Sequence, residues 1–346
     1  MVQLINNWPD LNNQFFILSN PDNEGLKYLE THLNNDRVKI VRIHDVFINQ
    51  TKIVGRFRKL VFTIFTHIMF IRKFLICLKQ ISPDILISNN GGYPGGITCF
   101  SAALVGKLLK KPAIEPFLLI HHAPMVKKNI ICLYADFLVW IIQILKIPVV
   151  TVSKASKIAL EEKTPLKNLK VIYNGIKKAK GKAKPRNMNI EFGIEKQRKI
   201  VGMIGPIDPH KGHETILEVF NQSNMLNQNA HLLIVGSGKN PHVSMLVDKV
   251  KLYGLENCVT FTGYLSGNST NIIAGFDILL MPTIDFEGFG YSMAEGMLTG
   301  IPVVASRVGA IPEIIEDGIS GILIEPNDIL CWQKNLEKLV CDRAYR

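Results

Sequence analysis

The chain has 346 residues, of which 47% are hydrophobic, and a formal net charge of +11. That length is too great for one ordinary core and comfortable for two α/β domains. Its six cysteines (Cys77, Cys99, Cys132, Cys258, Cys331 and Cys341) form no C-x-x-C pair and no metal-ligand spacing, which argues against a disulfide framework or zinc module and fits a reducing cytoplasm.

Residues 1–20 lack a charged start followed by a pure apolar run, so no signal peptide is read. The apolar stretches at 60–71 and 130–145 are too short or too interrupted for a span of about 20 residues. Charge is uneven: residues 1–175 hold 22 Lys+Arg against 11 Asp+Glu, 176–186 hold 6 against none, and 187–346 hold 12 against 18. The first half therefore calls for an anionic partner. A lipid surface ranks ahead of nucleic acid, because no basic and aromatic interleaving, helix-turn-helix spacing or zinc pattern is present.

In chain order, short β-like runs stand at 15–19 (FFILS), 38–44 (VKIVRIH), 84–88 (DILIS), 117–122 (FLLIHH) and 149–153 (VVTVS), separated by helical patterns. This alternation predicts βαβ units on a parallel sheet. Residues 177–186, KKAKGKAKPR, are charged and aperiodic and read as a linker. The alternation resumes at 199–205, 231–238, 259–264, 277–282, 302–306 and 321–325, with glycine or proline after most runs. The expected fold class is α/β, with two Rossmann-like domains whose parallel sheets face a cleft. The domains are expected at 1–175 and 187–346, joined by a basic linker at 176–186.

Within the first half, residues 56–76 place Phe57, Val61, Ile64, Ile68, Ile71 and Leu75 on one helical face, opposite Arg56, Lys59, Thr63, Thr66 and Lys73. Two readings stay open: a helix touching anionic lipid, or a helix packed on its sheet. NNGGYPGG at 89–96 supplies Gly91, Gly92 and Tyr93 at a strand end. It reads as an acceptor-side loop or as a permissive βα turn.

Two loops of the second half carry the strongest chemical signal. In GPIDPHKG (205–212), Lys211 and Gly212 stand just before a helix expected to begin near His213. Free backbone N–H groups, the positive dipole end and an ammonium would converge there on a phosphate. The alternative is a plain loop with a solvated lysine. After the run at 277–282, E-G-F-G (287–290) leads into a helix expected at 292–298. Gly288 and Gly290 let the backbone approach a diphosphate, and Glu295 sits one turn in, where a carboxylate can accept from two ribose hydroxyls. The competing reading is a tight turn with two surface carboxylates. VGSGK (235–239) lacks the leading glycine and the trailing Ser or Thr of a phosphate loop, and no full G-x-G-x-x-G with an acidic partner supports a dinucleotide oxidoreductase.

GPIDPHKG, VIYNGI (171–176), LLIVGSG, VTFTGY and above all EGFGYSMAEGMLTGIPVVASRVGAIPEII (287–315) resemble the retaining glycosyltransferases of family 4, which have the GT-B fold. The likeness covers the second half nearly throughout and the first half more loosely, by VVTVSKASK (149–157) and a histidine pair. It implies that Lys211 binds the donor diphosphate, that Glu295 holds the ribose and that Glu287 faces the donor sugar as a catalytic residue. Gly205, which opens the matching loop, and Gly288, Phe289 and Gly290 line the donor. His121 matches the acceptor-domain histidine near the transferred sugar, with His122 as the fallback.

The resemblance further implies a hexosyl transfer with retention, from a nucleoside-diphosphate sugar to a lipid-linked or polysaccharide acceptor of envelope glycan synthesis. No metal is expected, since no D-x-D occurs, and the enzyme should sit peripherally on the inner face of the cell membrane. One position departs: where the family commonly carries arginine after Gly205, this chain has Pro206. The family's opening strand with its glycine loop and its closing helices are also not matched, so a shortened copy is expected. Its alternative function is a catalytically silent remnant that keeps the fold.

Overall fold

The computed structural model describes residues 12–19, 33, 37–42, 56–90, 97–109, 115–120, 130–176 and 183–346. Two units emerge from it: Met1–Val152 with Lys157–Ile172, and Ser153–Ser156 with Tyr173–Arg346.

In the first unit, β1 (Phe15–Ser19) pairs in parallel with β2 (Val38–Arg42), Phe15 opposite Val38. Helix α1 (Arg56–Ile81) leads to β3 (Ile85–Asn90), which opens a parallel sheet in the order β3-β4-β5-β6. The rest alternates: α2 (Ile97–Leu108), β4 (Glu115–Ile120), α3 (Ile130–Ile144), β5 (Val149–Thr151), α4 (Lys154–Lys163) and β6 (Lys170–Val171). Right-handed crossovers put α2 and α3 on the same face of this sheet. Every α2 residue from Phe100 to Gly106 is buried, because the sheet lies on one side of it while α1 and α3 close the other. The three helices meet at His67 of α1, fully buried, whose Nε2 lies 2.5 Å from Ser101 Oγ of α2 and whose Nδ1 lies 2.8 Å from the Tyr134 hydroxyl of α3.

This packing corrects the expected face of α1. Its buried stripe is His67, Phe70, Phe74 and Leu78, set against Ala102 and Val105 of α2, while Ile68 is 52% exposed. Residues 56–76 are apolar nearly all round, so a 3.6-residue period cannot choose among several faces. The His67 hydrogen bonds choose instead.

In the second unit, α5 (Met188–Phe192) precedes β7 (Lys199–Ile204), α6 (His213–Gln222), α7 (Asn224–Asn229), β8 (Ala230–Val235), α8 (Asn240–Leu252) and β9 (Val259–Gly263). Then come α9 (Ser269–Ile273), β10 (Ile278–Met281), α10 (Tyr291–Thr299), β11 (Val303–Ser306), α11 (Ile311–Ile314), β12 (Ile322–Ile324) and α12 (Ile329–Cys341). All six strands are parallel, in the order β9-β8-β7-β10-β11-β12. This doubly wound order reverses direction between β7 and β10, and a ligand crevice forms outside the carboxyl ends at such a reversal. The inner strands β7, β8, β10 and β11 are buried on both faces, whereas the edge strand β9 is only partly covered. Val201, Leu232, Ile234, Ile278 and Leu280 face a core closed by Phe220 and Trp332, and the alternate residues Ile200, Leu233, Val235, Leu279 and Met281 face Phe276, Met293 and Ile311. Burial on two sides explains why these strands read as continuous apolar runs.

Candidate functional site

The loops leaving β7, β10 and β11 come together at the reversal point. After β7 the backbone turns at Gly205 (φ +145°), and the next loop turns beside it at Gly236 (φ +144°), so close that a Cβ there would stand 1.8 Å from the Gly205 carbonyl oxygen. Asp208 caps the short turn Pro209–Lys211 through the His210 N–H. Gly212 (φ +72°) ends that turn, and a Cβ on it would lie 1.8 Å from the Pro282 carbonyl oxygen. The Ile284 N–H donates to the His210 carbonyl at 2.8 Å. The β7 loop is thus locked onto the end of β10.

That contact brings together two residues that are 76 positions apart in the chain. Lys211 Nζ donates to Glu287 Oε2 at 2.7 Å, with side chains 24% and 15% exposed. Glu287 is held from behind: its carbonyl accepts the Ala310 N–H at 2.8 Å, and a Cβ on Gly309 (φ +53°) would come within 2.3 Å of the same oxygen. Gly290 (φ +86°) begins α10 with no side-chain cap, so the first N–H groups of that helix carry uncompensated partial positive charge. Phe289 is buried and lies edge-on to Tyr291 at 5.1 Å. Glu295, half-buried on α10, has its carboxyl pushed above the usual range by burial, partly offset by a hydrogen bond from Ser269. Burial also raises the Tyr291 hydroxyl.

The structure therefore brings Gly205, Lys211, Glu287, Phe289, Gly290 and Glu295 onto the β7 and β10 loops and α10 of one unit, with Gly288 between Glu287 and Phe289. Pro206 is exposed next to Gly205. His121, His122, Gly91, Gly92 and Tyr93 lie outside the described residues. The sequence reading missed Thr283 and Ser306, whose hydroxyls are buried at the ends of β10 and β11 without a hydrogen-bond partner among the described residues. Their place at the end of β10, which flanks the reversal, and of its neighbour β11 was the available signal. Among the described residues no group of three His, Cys, Asp or Glu side chains is placed to hold a metal ion.

Residues 186–346 match the family model of glycosyl transferases, group 1. The chain is 29% identical over 208 residues to an uncharacterized glycosyltransferase of Methanocaldococcus jannaschii, covering 57% of this chain and 52% of that protein. It is 30% identical over 165 residues to N-acetyl-alpha-D-glucosaminyl L-malate synthase of Bacillus anthracis, covering 47% and 42%. With the lipopolysaccharide 1,2-N-acetylglucosaminetransferase of Salmonella typhimurium it shares 27% over 187 residues, covering 51% and 49%. The chain thus spans about half the length, or less, of the curated relatives it matches. Among solved structures, Anabaena HepE, crystallised with UDP and glucose, matches over 96% of this chain and 91% of its own, with a TM-score of 0.69 at 18% identity. The fold is that of the GT-B glycosyltransferases, with two Rossmann-like α/β units.

Proposed function

We propose that this chain is a glycosyltransferase that moves a hexosyl group, with retention, from a nucleoside-diphosphate sugar to a lipid-linked or polysaccharide acceptor in envelope glycan synthesis. The observation that carries the reading is the Lys211–Glu287 pair, set where the sheet order reverses and beside the uncapped N-terminus of α10. A diphosphate entering there meets the Lys211 ammonium and the α10 amides, while Glu295 is left to accept from the ribose hydroxyls. Bond cleavage leaves negative charge on the departing diphosphate, and groups fixed in advance around that charge stabilise it most. In this reading Lys211 and the α10 N-terminus take the role that a metal serves elsewhere, so no metal is required. Glu287, adjacent to Lys211, orients the sugar and stabilises positive charge at its anomeric carbon. By the family resemblance we assign His121 to the transferred sugar and Gly91, Gly92, Tyr93 and His122 to the acceptor. The relatives that make malate and lipopolysaccharide glycosides support the general reaction. Nothing in the comparisons favours the silent-remnant alternative.

Calorimetry with UDP and with GDP tests the donor site. Glu295→Ala should weaken binding by roughly 1.5–3 kcal/mol, the worth of hydrogen bonds to a charged group. Equal affinity for the variant and the parent chain would remove Glu295 from the site. Pro206→Arg should tighten binding, because the position is exposed beside Gly205 and a guanidinium can pair with phosphate in a charge-assisted bond. No change would mean that residue 206 faces away from the diphosphate.

We also place the protein peripherally on the inner face of the cell membrane. No helix among the described residues is long and apolar enough to cross a membrane. Support for surface contact comes from α1, 26 residues with six Lys or Arg and no Asp or Glu.

A further inference from the structure

Helix α3 exposes Leu133 (61%), Phe137 (51%), Trp140 (52%) and Ile144 (56%). Their spacing of four, three and four residues lines them along one stripe, and the Phe137 and Trp140 rings stack at 6.2 Å. The opposite face of α3 is already used: Ala135, Leu138, Val139 and Ile142 pack in the first unit's core. A second exposed stripe runs along α1, through Phe65, Ile68, Met69 and Ile76. The two stripes belong to one layer, since His67 of α1 and Tyr134 of α3 are hydrogen-bonded across the buried α2. Apolar exposure on this scale marks a surface that something covers.

Charge decides what covers it. Arg72, Lys73 and Lys79 are exposed on α1, and Lys107 on α2, whereas the single acidic residue in all three helices is Asp136. A second copy of the chain would bring the same cations against this face. An anionic bilayer complements it, with basic side chains at headgroup depth and aromatic rings at the boundary with the acyl chains.

We propose that α3 inserts its Leu133–Phe137–Trp140–Ile144 stripe into an anionic lipid surface, making it the apolar anchor beside the cationic α1. This rests on the membrane reading above and adds to it a different helix, which enters the lipid rather than resting on it.

Vesicles of phosphatidylcholine mixed with phosphatidylglycerol provide the test. Because the stripe is exposed, Phe137→Ser combined with Trp140→Ser should fold normally and bind these vesicles about tenfold or more weakly, from the apolar area no longer buried. Acyl-chain-brominated lipid should quench the tryptophan emission of the parent chain. With Trp8 replaced by phenylalanine in both chains, which removes the third tryptophan, Trp140→Phe should abolish most of that quenching, since Trp332 is fully buried in the other unit. Quenching that survives Trp140→Phe, or a double variant that binds like the parent, overturns the insertion of α3. If Arg72→Glu with Lys73→Glu still abolishes binding in that case, the membrane reading stands without it. A parent chain that ignores anionic vesicles removes both. A dimer in solution that Phe137→Ser with Trp140→Ser converts to monomer would give the stripe to a second copy and overturn the proposal.

Discussion

Replacing Glu287 by glutamine should lower sugar transfer, or donor hydrolysis without acceptor, by about 100- to 1,000-fold, the usual cost of removing one fixed electrostatic group from a reacting centre. The same change should tighten nucleoside-diphosphate binding several-fold. Both directions follow from one contact. In the free protein the Glu287 carboxylate holds the Lys211 ammonium at 2.7 Å, so a diphosphate must compete with it for that cation. Glutamine keeps the shape and can still accept a hydrogen bond, but gives up the charge. The Ala310 N–H and the crowded Gly309 hold the main chain of residue 287 whatever its side chain, so the variant should retain its fold. Single-turnover kinetics with calorimetry separates the effects. Undiminished transfer would exclude Glu287 from the reacting centre, and weaker nucleotide binding would mean that the carboxylate positions Lys211 rather than competing for it.

How much of this was legible beforehand differs between the two units for a physical reason. In the second unit most strands are buried on both faces and most end at glycine or proline, and the runs at 199–205, 231–238, 259–264, 277–282, 302–306 and 321–325 mark them to within two or three residues. The helix expected at 292–298 forms as Tyr291–Thr299, and the one expected from His213 starts there. Lys211, Gly290 and Glu295 could be singled out because each lies beside a helix start, a local feature. The Lys211–Glu287 bond was not legible, because the two residues meet only through the strand order, which periodicity does not encode. Helix α1 failed differently. Its apolar residues surround the axis, and the register was settled by His67, a polar residue that no hydrophobic pattern weighs. Stripe residues of α3 likewise look like core in sequence, and only the packing of Ala135, Leu138, Val139 and Ile142 shows which side is left over.

Stability should fall steeply as pH drops from 6.5 towards 4, and the second unit should fail first. Three histidines are buried uncharged: His67 is fully buried, His213 is 4% exposed and His231 is 6% exposed. Burial is the leading cause that pulls each imidazole from 6.5 to about 4. A depressed folded-state value means that the unfolded chain binds the proton first. The stabilising effect is therefore complete above pH 6.5 and disappears as pH falls towards 4, at roughly 1.4 kcal/mol per pH unit and per histidine. Across that window each contributes about 3 kcal/mol. His213 and His231 both lie in the second unit, which thus loses about twice as much as the first, against a typical total of roughly 5–15 kcal/mol. Carboxylates held low by hydrogen bonds, such as Glu218 by Tyr253 and Asp317 by the Leu323 N–H, add their loss only at still lower pH. Thermal melting followed by circular dichroism should give a Tm that is level above about pH 7 and declines below 6.5. His231→Gln keeps a hydrogen-bonding side chain next to Thr260, the 2.8 Å partner of His231 Nε2, but cannot take the proton. It should flatten the decline by the share of one group, and a slope equal to that of the parent, or a Tm unchanged between pH 7 and 5, would show that His231 is not held neutral by burial.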